Sequence, residues 1–449
     1  MRTQIFFAST LYGAATLAAA LDAGRFAPAD RRLLLVSNNA ATPETSSPLD
    51  AMPGFERLRA RFDGVLSWNE AIRPFHPGGW SPRTDDVPLW ERYLRLLWGL
   101  GEDPEDEIEL AVESIQVDPA LAVARLFPDA PLDVYADGLM SYGPTRNKLD
   151  PLVGSRVRRL LHLDLVPGLR PLLLSEFGVP AETVPTAAFT DVLAELAEDV
   201  PPAVAEAPVG GALLLGQYLS ALDILSPAEE ERLHIRMLRG AAARGHREVV
   251  FKPHPVAPVR YSRALEKEAG ELGVELTVLG RPVLAEVLYE RMRPALVVGC
   301  FSTALLTAST FYGLPVARTG TELLLERVAP YENSNRVPVT LVDAVLPPLE
   351  AENAPAGAPV EPRSGRELTG LVRAVGFCMQ PRIYPELRTE VERYLSAHPE
   401  PGTLRYFKRR RLTSLGLPGA VPRQFAFIPR NRAVRRVARR ARALKRALS

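Results

Sequence analysis

Three short stretches carry the side chains that could do chemistry: Asp137-Gly138 in LDVYADGLM, His254-Pro255 in EVVFKPHP, and Ser302-Thr303 in ALVVGCFST. Each follows a run of β-formers. A carboxylate at the end of a strand could take a proton; the bland reading of Asp-Gly is a turn. His254 lies between Pro253 and Pro255, so its ring direction is preset. An imidazole there could donate to a phosphate oxygen or act as a general acid near neutral pH; it could equally be the incidental histidine of a stiff loop. Ser302 and Thr303 stand where a strand hands over to a helix. Hydroxyls and free backbone N–H groups there make an anion site, or simply an N-cap pair. Lys252 adds a positive charge beside His254. A base on one wall and phosphate ligands on the other would suit transfer from a nucleotide-linked donor.

The elements that must position these residues alternate strand and helix. QIFFAS, RLLLVSNN and GVLSWNE read as strands, and LYGAATLAAALD as a helix after the first. Residues 87–100 have apolar side chains at helical spacing, 108–128 run strand then helix, and 130–144 form a strand ending in a polar turn. Short continuous apolar runs of this kind are buried parallel strands. Residues 198–211, EDVPPAVAEAPVGG, are the best interdomain linker. The series then restarts with ALLLGQYL, EVVFKPHP, VELTVLG and PALVVGCFS, separated by helices at 227 onward, 261–273 and about 282–292. Ser226-Pro227 followed by Glu229 is a helix start. The expected fold class is α/β: two open, doubly wound, Rossmann-like domains over residues 1–200 and 212–395, facing a crevice, with a separate basic tail over 396–449. In such sheets ligands bind beyond the carboxyl ends of the strands, which is where the three stretches lie.

Composition sets the outer bounds. At 449 residues two domains are expected, and 47% apolar with 24% charged residues is ordinary globular chemistry. Arginine outnumbers lysine 49 to 5, a skew that reflects coding more than chemistry. Cys300 and Cys378 lie in apolar surroundings with no metal-ligand spacing nearby, so a zinc site is not expected and a reducing cytoplasm is. The N-terminus has an apolar stretch that a secretory signal would share, but Ser9, Thr10 and Thr16 interrupt it, and it reads better as strand then helix.

At this point a family resemblance is visible. YADGLMSYGP, FKPHP and VVGCFSTAL, in this order, resemble the bacterial sialyltransferases, particularly the α-2,8-polysialyltransferase-like group, over roughly residues 1–395. The resemblance implies a GT-B fold, CMP-sialic acid as donor, a glycan acceptor, an inverting reaction and no metal or other cofactor. By position it implies Asp137 as the base on the acceptor hydroxyl and His254-Pro255 at the CMP phosphate. Lys252, Ser302 and Thr303 would bind the same phosphate. There is one departure: the family's acidic pair reads Ala136-Asp137 here, so Asp137 would serve alone or Asp133 from farther back. His76, in a second His-Pro, could shape the acceptor side with Trp80 or be a structural turn. Arg146 and Lys148 could meet an anionic acceptor or form a solvated basic turn.

The net charge of +1 hides an asymmetry. Residues 401–449 hold 15 Lys/Arg and no acids, which leaves the first 400 residues at −14. Residues 433–448 place Val434, Val437, Ala438, Ala441, Leu444 and Leu448 on one helical face among arginines. Such a helix can lie on an anionic membrane surface, while a disordered or RNA-binding tail is the alternative. Nucleic acid is not an expected partner of the acidic body. The expected location is the cytoplasm, with docking at the inner membrane face. Two other functions compete with sialyl transfer: a CDP-glycerol-type transferase, and a degenerate nucleotide- or glycan-binding module.

Overall fold

The computed structural model describes residues 1–101, 106–200, 202–254, 257, 260–350 and 365–420. Pro255 and the segment 433–448 lie outside these residues.

Two parallel sheets form the frame. The first contains β1 (Arg2–Ala8), β2 (Arg31–Val36), β3 (Gly64–Ser67), β4 (Glu107–Glu113), β5 (Leu132–Ala136), β6 (Val157–Leu163) and β7 (Ala181–Val184). Their order is β3-β2-β1-β4-β5-β6-β7. The second contains β8 (Ala212–Leu215), β9 (Glu248–Lys252), β10 (Glu275–Val278), β11 (Leu296–Gly299) and β12 (Val316–Arg318), in the order β10-β9-β8-β11-β12. Every pairing is parallel, and helices cover both faces, which is why β1 and β5 are buried along nearly their whole length. This is the two-domain GT-B architecture.

The strand orders fix two switch points. In the first sheet the order reverses between β1 and β4; in the second it reverses between β8 and β11. Crevices open there, past the carboxyl ends of the strands.

The N-terminal apolar run is built into the core. β1 pairs with both β2 and β4, and the helix Leu11–Asp22 packs behind it. Thr10 caps that helix by accepting from the Gly13 N–H at 2.9 Å. Ser226 and Glu229 form a reciprocal capping box at the helix Pro227–Ala243, as the Ser-Pro-x-Glu pattern predicts.

Helices after β12 return to the first domain. Tyr384 is fully buried, and its hydroxyl reaches Thr145 Oγ1 at 3.1 Å and the Leu172 carbonyl at 3.1 Å. The basic stretch begins as part of this packed body. Tyr406, Leu412 and Leu417 are buried, and Arg411 donates to the Cys378 carbonyl at 2.6 Å. Among the described residues no helix is long and apolar enough to cross a membrane.

Candidate active site

Asp137 follows the last residue of β5, and Gly138 after it starts the short turn Leu139–Tyr142. The Asp-Gly pair is therefore a turn and a strand-end carboxylate at once. Across the crevice, Thr303 Oγ1 accepts a long hydrogen bond from the Leu139 N–H at 3.4 Å. Thr303 begins the helix Thr303–Thr310, and Ser302 is its N-cap, accepting from the Ala304 N–H at 3.3 Å. The cap uses the Ser302 oxygen as acceptor and leaves its own proton free to donate, so the N-cap and anion-site readings are compatible. Lys252, the last residue of β9, comes to the same place.

These residues share one cavity. It has about 370 Å³ and is walled by Thr10, Tyr12 and Asp137 from the first domain and by Lys252, Ser302 and Thr303 from the second. A polar contact links the domains beside it: the Tyr12 hydroxyl lies 3.3 Å from Thr307 Oγ1. Glu286 is buried there too. Burial raises its proton affinity, and the hydrogen bond with Thr307 and the charge of Lys252 act against that rise. At the second switch point Gln217 Oε1 accepts from the Phe301 N–H at 3.0 Å, joining the ends of β8 and β11.

The electrostatics differ on the two walls. Burial, then the charge of Glu113, pushes the Asp137 carboxyl up to about 7. Lys252 is held below its usual range by burial, with the Glu286 charge opposing that. His254 is pulled down by desolvation and then by Lys252, so its neutral form dominates at pH 7. A neutral imidazole still donates one N–H.

His254 stands at the rim rather than in the cavity. It is exposed at the end of β9, with its ring centroid 6.3 Å from that of Tyr218. His76, Arg146 and Lys148 do not line this cavity either. His76 borders a separate cleft of about 450 Å³ past the ends of β2 and β3. Its Nδ1 accepts from the Gly78 N–H at 3.1 Å, which leaves Nε2 to donate to the Ala40 carbonyl at 2.9 Å. Trp80 stacks on Phe75 in the same region. Arg146 has its backbone held between Gln116 (2.8 Å) and Gln380 (2.6 Å), and Lys148 is exposed. Asp133 cannot replace the missing acid. It lies toward the opposite end of β5, where Arg158 grips it at 3.0 and 2.8 Å and Arg159 at 3.0 Å.

A family model described as Alpha-2,8-polysialyltransferase (POLYST) matches residues 4–321. The chain belongs to the alpha-2,8-polysialyltransferase family.

Membership of the polysialyltransferase family makes the chain a glycosyltransferase. Several solved structures are similar to it at low identity. One is a sialyltransferase from Photobacterium damselae (residues 113–497, its GT-B domain), at 10% identity, covering 76% of this chain and 96% of that one with a TM-score of 0.40. Another is the 2,6-sialyltransferase of Photobacterium sp. JT-ISH-224, solved with CMP and lactose: 9% identity, 76% and 75% coverage, TM-score 0.40. The UDP-GlcNAc 2-epimerase of Methanocaldococcus jannaschii is similar at 11% identity, with 78% and 89% coverage and a TM-score of 0.42. No curated protein matches the sequence.

Within this polysialyltransferase-family chain the structure adds residues that sequence reading passed over. Thr10, Tyr12 and the buried Glu286 all line the cavity. Glu113 ends β4 and accepts from the Ser9 N–H at 3.1 Å and the Ser9 hydroxyl at 2.6 Å. A signal for Thr10 was present: Ser9-Thr10 break an apolar run where strand β1 becomes a helix.

Proposed function

We propose that this glycosyltransferase moves a sialic-acid-type sugar from a CMP-linked donor to a glycan hydroxyl by one inverting displacement, without a metal. The observation that carries the reading is the shared cavity, in which the Asp137 carboxylate faces Lys252, Ser302 and Thr303. In the step proposed, the acceptor oxygen attacks the anomeric carbon as Asp137 takes its proton. The bond from that carbon to the phosphate oxygen breaks, and CMP leaves with one more negative charge. Lys252, the two hydroxyls and the positive end of the helix Thr303–Thr310 are the groups that meet that developing charge. His254, at the rim, would give a further N–H to the phosphate as the donor closes over it. A carboxyl that titrates near neutrality is matched to accepting a proton at pH 7.

Turnover of CMP-sialic acid, tested beside CDP-glycerol with a panel of glycan acceptors, checks the reading. Transfer from CMP-sialic acid that is lost in Asp137→Asn supports it. Transfer from CDP-glycerol alone, or CMP binding with no transfer to any acceptor, overturns it. The basic segment 433–448 is proposed as a dock for anionic membrane, its attraction being mainly electrostatic and salt-sensitive. Co-sedimentation with phosphatidylglycerol vesicles, lost on deleting residues 421–449, would support that role. Binding that survives the deletion would refute it.

A further inference from the structure

We propose that Glu113, on the neighbouring strand, is a positioning residue for the transfer: its carboxylate stands on the same face as Asp137 and keeps that side chain able to act as the base. The inference rests on reading Asp137 as the base.

The sheet brings the two together. β4 and β5 pair in parallel with Glu113 opposite Tyr135, and Asp137 comes two residues after Tyr135. Side chains two apart on a strand lie on the same face, as do those of directly paired residues. Glu113, Tyr135 and Asp137 therefore lean to one side, against the start of the helix Leu11–Asp22. Glu113 is anchored there by both donors of Ser9. The Asp137 Oδ2 atom lies 3.4 Å from the point where a Cβ on Gly13 would sit. This is also the switch point of the first sheet, between β1 and β4.

The backbone is bent to hold Glu113 in place. Ser114 and Ile115 have φ of 54° and 51°, a region that Ile in particular avoids, and the Ile115 N–H closes a tight turn onto the Glu113 carbonyl. Strain of this kind persists where surrounding structure enforces it, and it gathers at functional sites.

Among the described residues, the groups around the pair supply hydrogen bonds but no opposing charge. Tyr12 from the helix and Tyr135 from β5 face it, and burial raises both well above the usual tyrosine range. Lys252 and Glu286 belong to the far wall, where they act on each other. Among the described residues, neither Glu113 nor Asp137 draws a cation strong enough to oppose burial. Burial raises the proton affinity of Glu113, and burial plus the Glu113 charge raise that of Asp137. Two such carboxylates titrate as a pair, and the Glu113 charge raises the proton affinity of Asp137. Glu113 is thus a positioning residue: it leaves Asp137 basic enough to take a proton from an acceptor hydroxyl.

The test uses the full chain and Glu113→Gln, which keeps an oxygen for Ser9 and removes the charge. In the wild type, transfer from CMP-sialic acid should rise about tenfold per pH unit below the Asp137 titration and then level off. In Glu113→Gln that limb should move down by about one pH unit or more, and Glu113→Asp should return it part of the way. ¹³C-carboxyl NMR of aspartate-labelled protein reads the Asp137 titration directly, without turnover. If Glu113→Gln does not fold, Ser9→Ala tests the same point: with fewer donors Glu113 keeps the proton, and Asp137 should titrate lower. An Asp137 titration that stays in place in the variants overturns the pair. A titration that moves in a chain showing no transfer upholds the pair and overturns the transferase reading instead.

Discussion

Thr303 Oγ1, on the second domain, accepts from the backbone N–H of Leu139, two residues past Asp137 on the first, at 3.4 Å. One long hydrogen bond thus spans the crevice between the candidate base and the candidate phosphate donors. A hydroxyl poised at that length is well placed to exchange its protein partner for a ligand oxygen. Thr303→Val keeps the shape and removes the hydroxyl. The net loss in folding stability should be small, about 0.5–1.5 kcal/mol by chemical denaturation. The KM for CMP-sialic acid should rise about tenfold, as expected for one lost hydrogen bond to a charged group.

His254→Ala should lower kcat for CMP-sialic acid by about a hundredfold if its N–H meets the leaving phosphate, with the thermal midpoint measured on the same preparation. The His254 proton affinity is already depressed by desolvation and Lys252. Lys252→Gln should therefore raise the His254 titration, visible in the imidazole NMR shift, while weakening donor binding.

Gly13→Ala tests the close packing at the start of the first helix. A Cβ there would meet Tyr135 Oη at 2.9 Å and Thr10 Oγ1 at 3.1 Å. In an open helix the change gains up to about 1 kcal/mol from helix propensity. Overpacking costs about 1–3 kcal/mol, so the substitution should be net destabilising. It should also depress transfer, because Tyr135 and Thr10, which pack beside Asp137, must give way. Unfolding in urea and a turnover assay on the same preparation check both.

The raised Asp137 carboxyl also makes a stability prediction. Its proton is held in the folded state up to about pH 7 and lost in the unfolded state near pH 4. Between those values the folded chain binds more protons, so this group's contribution to stability falls as pH rises. Asp137→Asn, which cannot ionise, should be more stable than the wild type at pH 8 by up to about 4 kcal/mol, three pH units at about 1.4 kcal/mol each, with the gap closing by pH 4. Paired urea titrations at the two pH values measure it. Lost transfer together with gained stability is the pattern of a functional group held at a cost.

Much of the frame was readable from sequence because buried parallel strands announce themselves as apolar runs ending in turn residues. That rule led to Asp137, Lys252, Ser302 and Thr303, which converge on one cavity. It failed for β6 and β7, whose VRRLLHL and AETV carry charges that look like surface. In β6 those charges have a purpose: Arg158 and Arg159 neutralise Asp133. Glu113 was missed for a different reason. Its partner Asp137 is 24 positions away, and only the pairing of β4 with β5 makes them neighbours. Local sequence also could not show that Arg146 is engaged by Gln116 and Gln380, or that His254 sits outside the cavity that its strand leads to.

The proposed function requires that the cavity between Asp137 and Thr303 bind a cytidine nucleotide. Isothermal titration of the full chain with CMP, set beside UMP and UDP-GlcNAc, tests this most directly. The prediction is saturable binding of CMP in preference to the uridine ligands, weakened at least tenfold in both Lys252→Gln and Thr303→Val. CMP that gives no heat while a uridine nucleotide binds, or CMP binding unchanged in both variants, would contradict it.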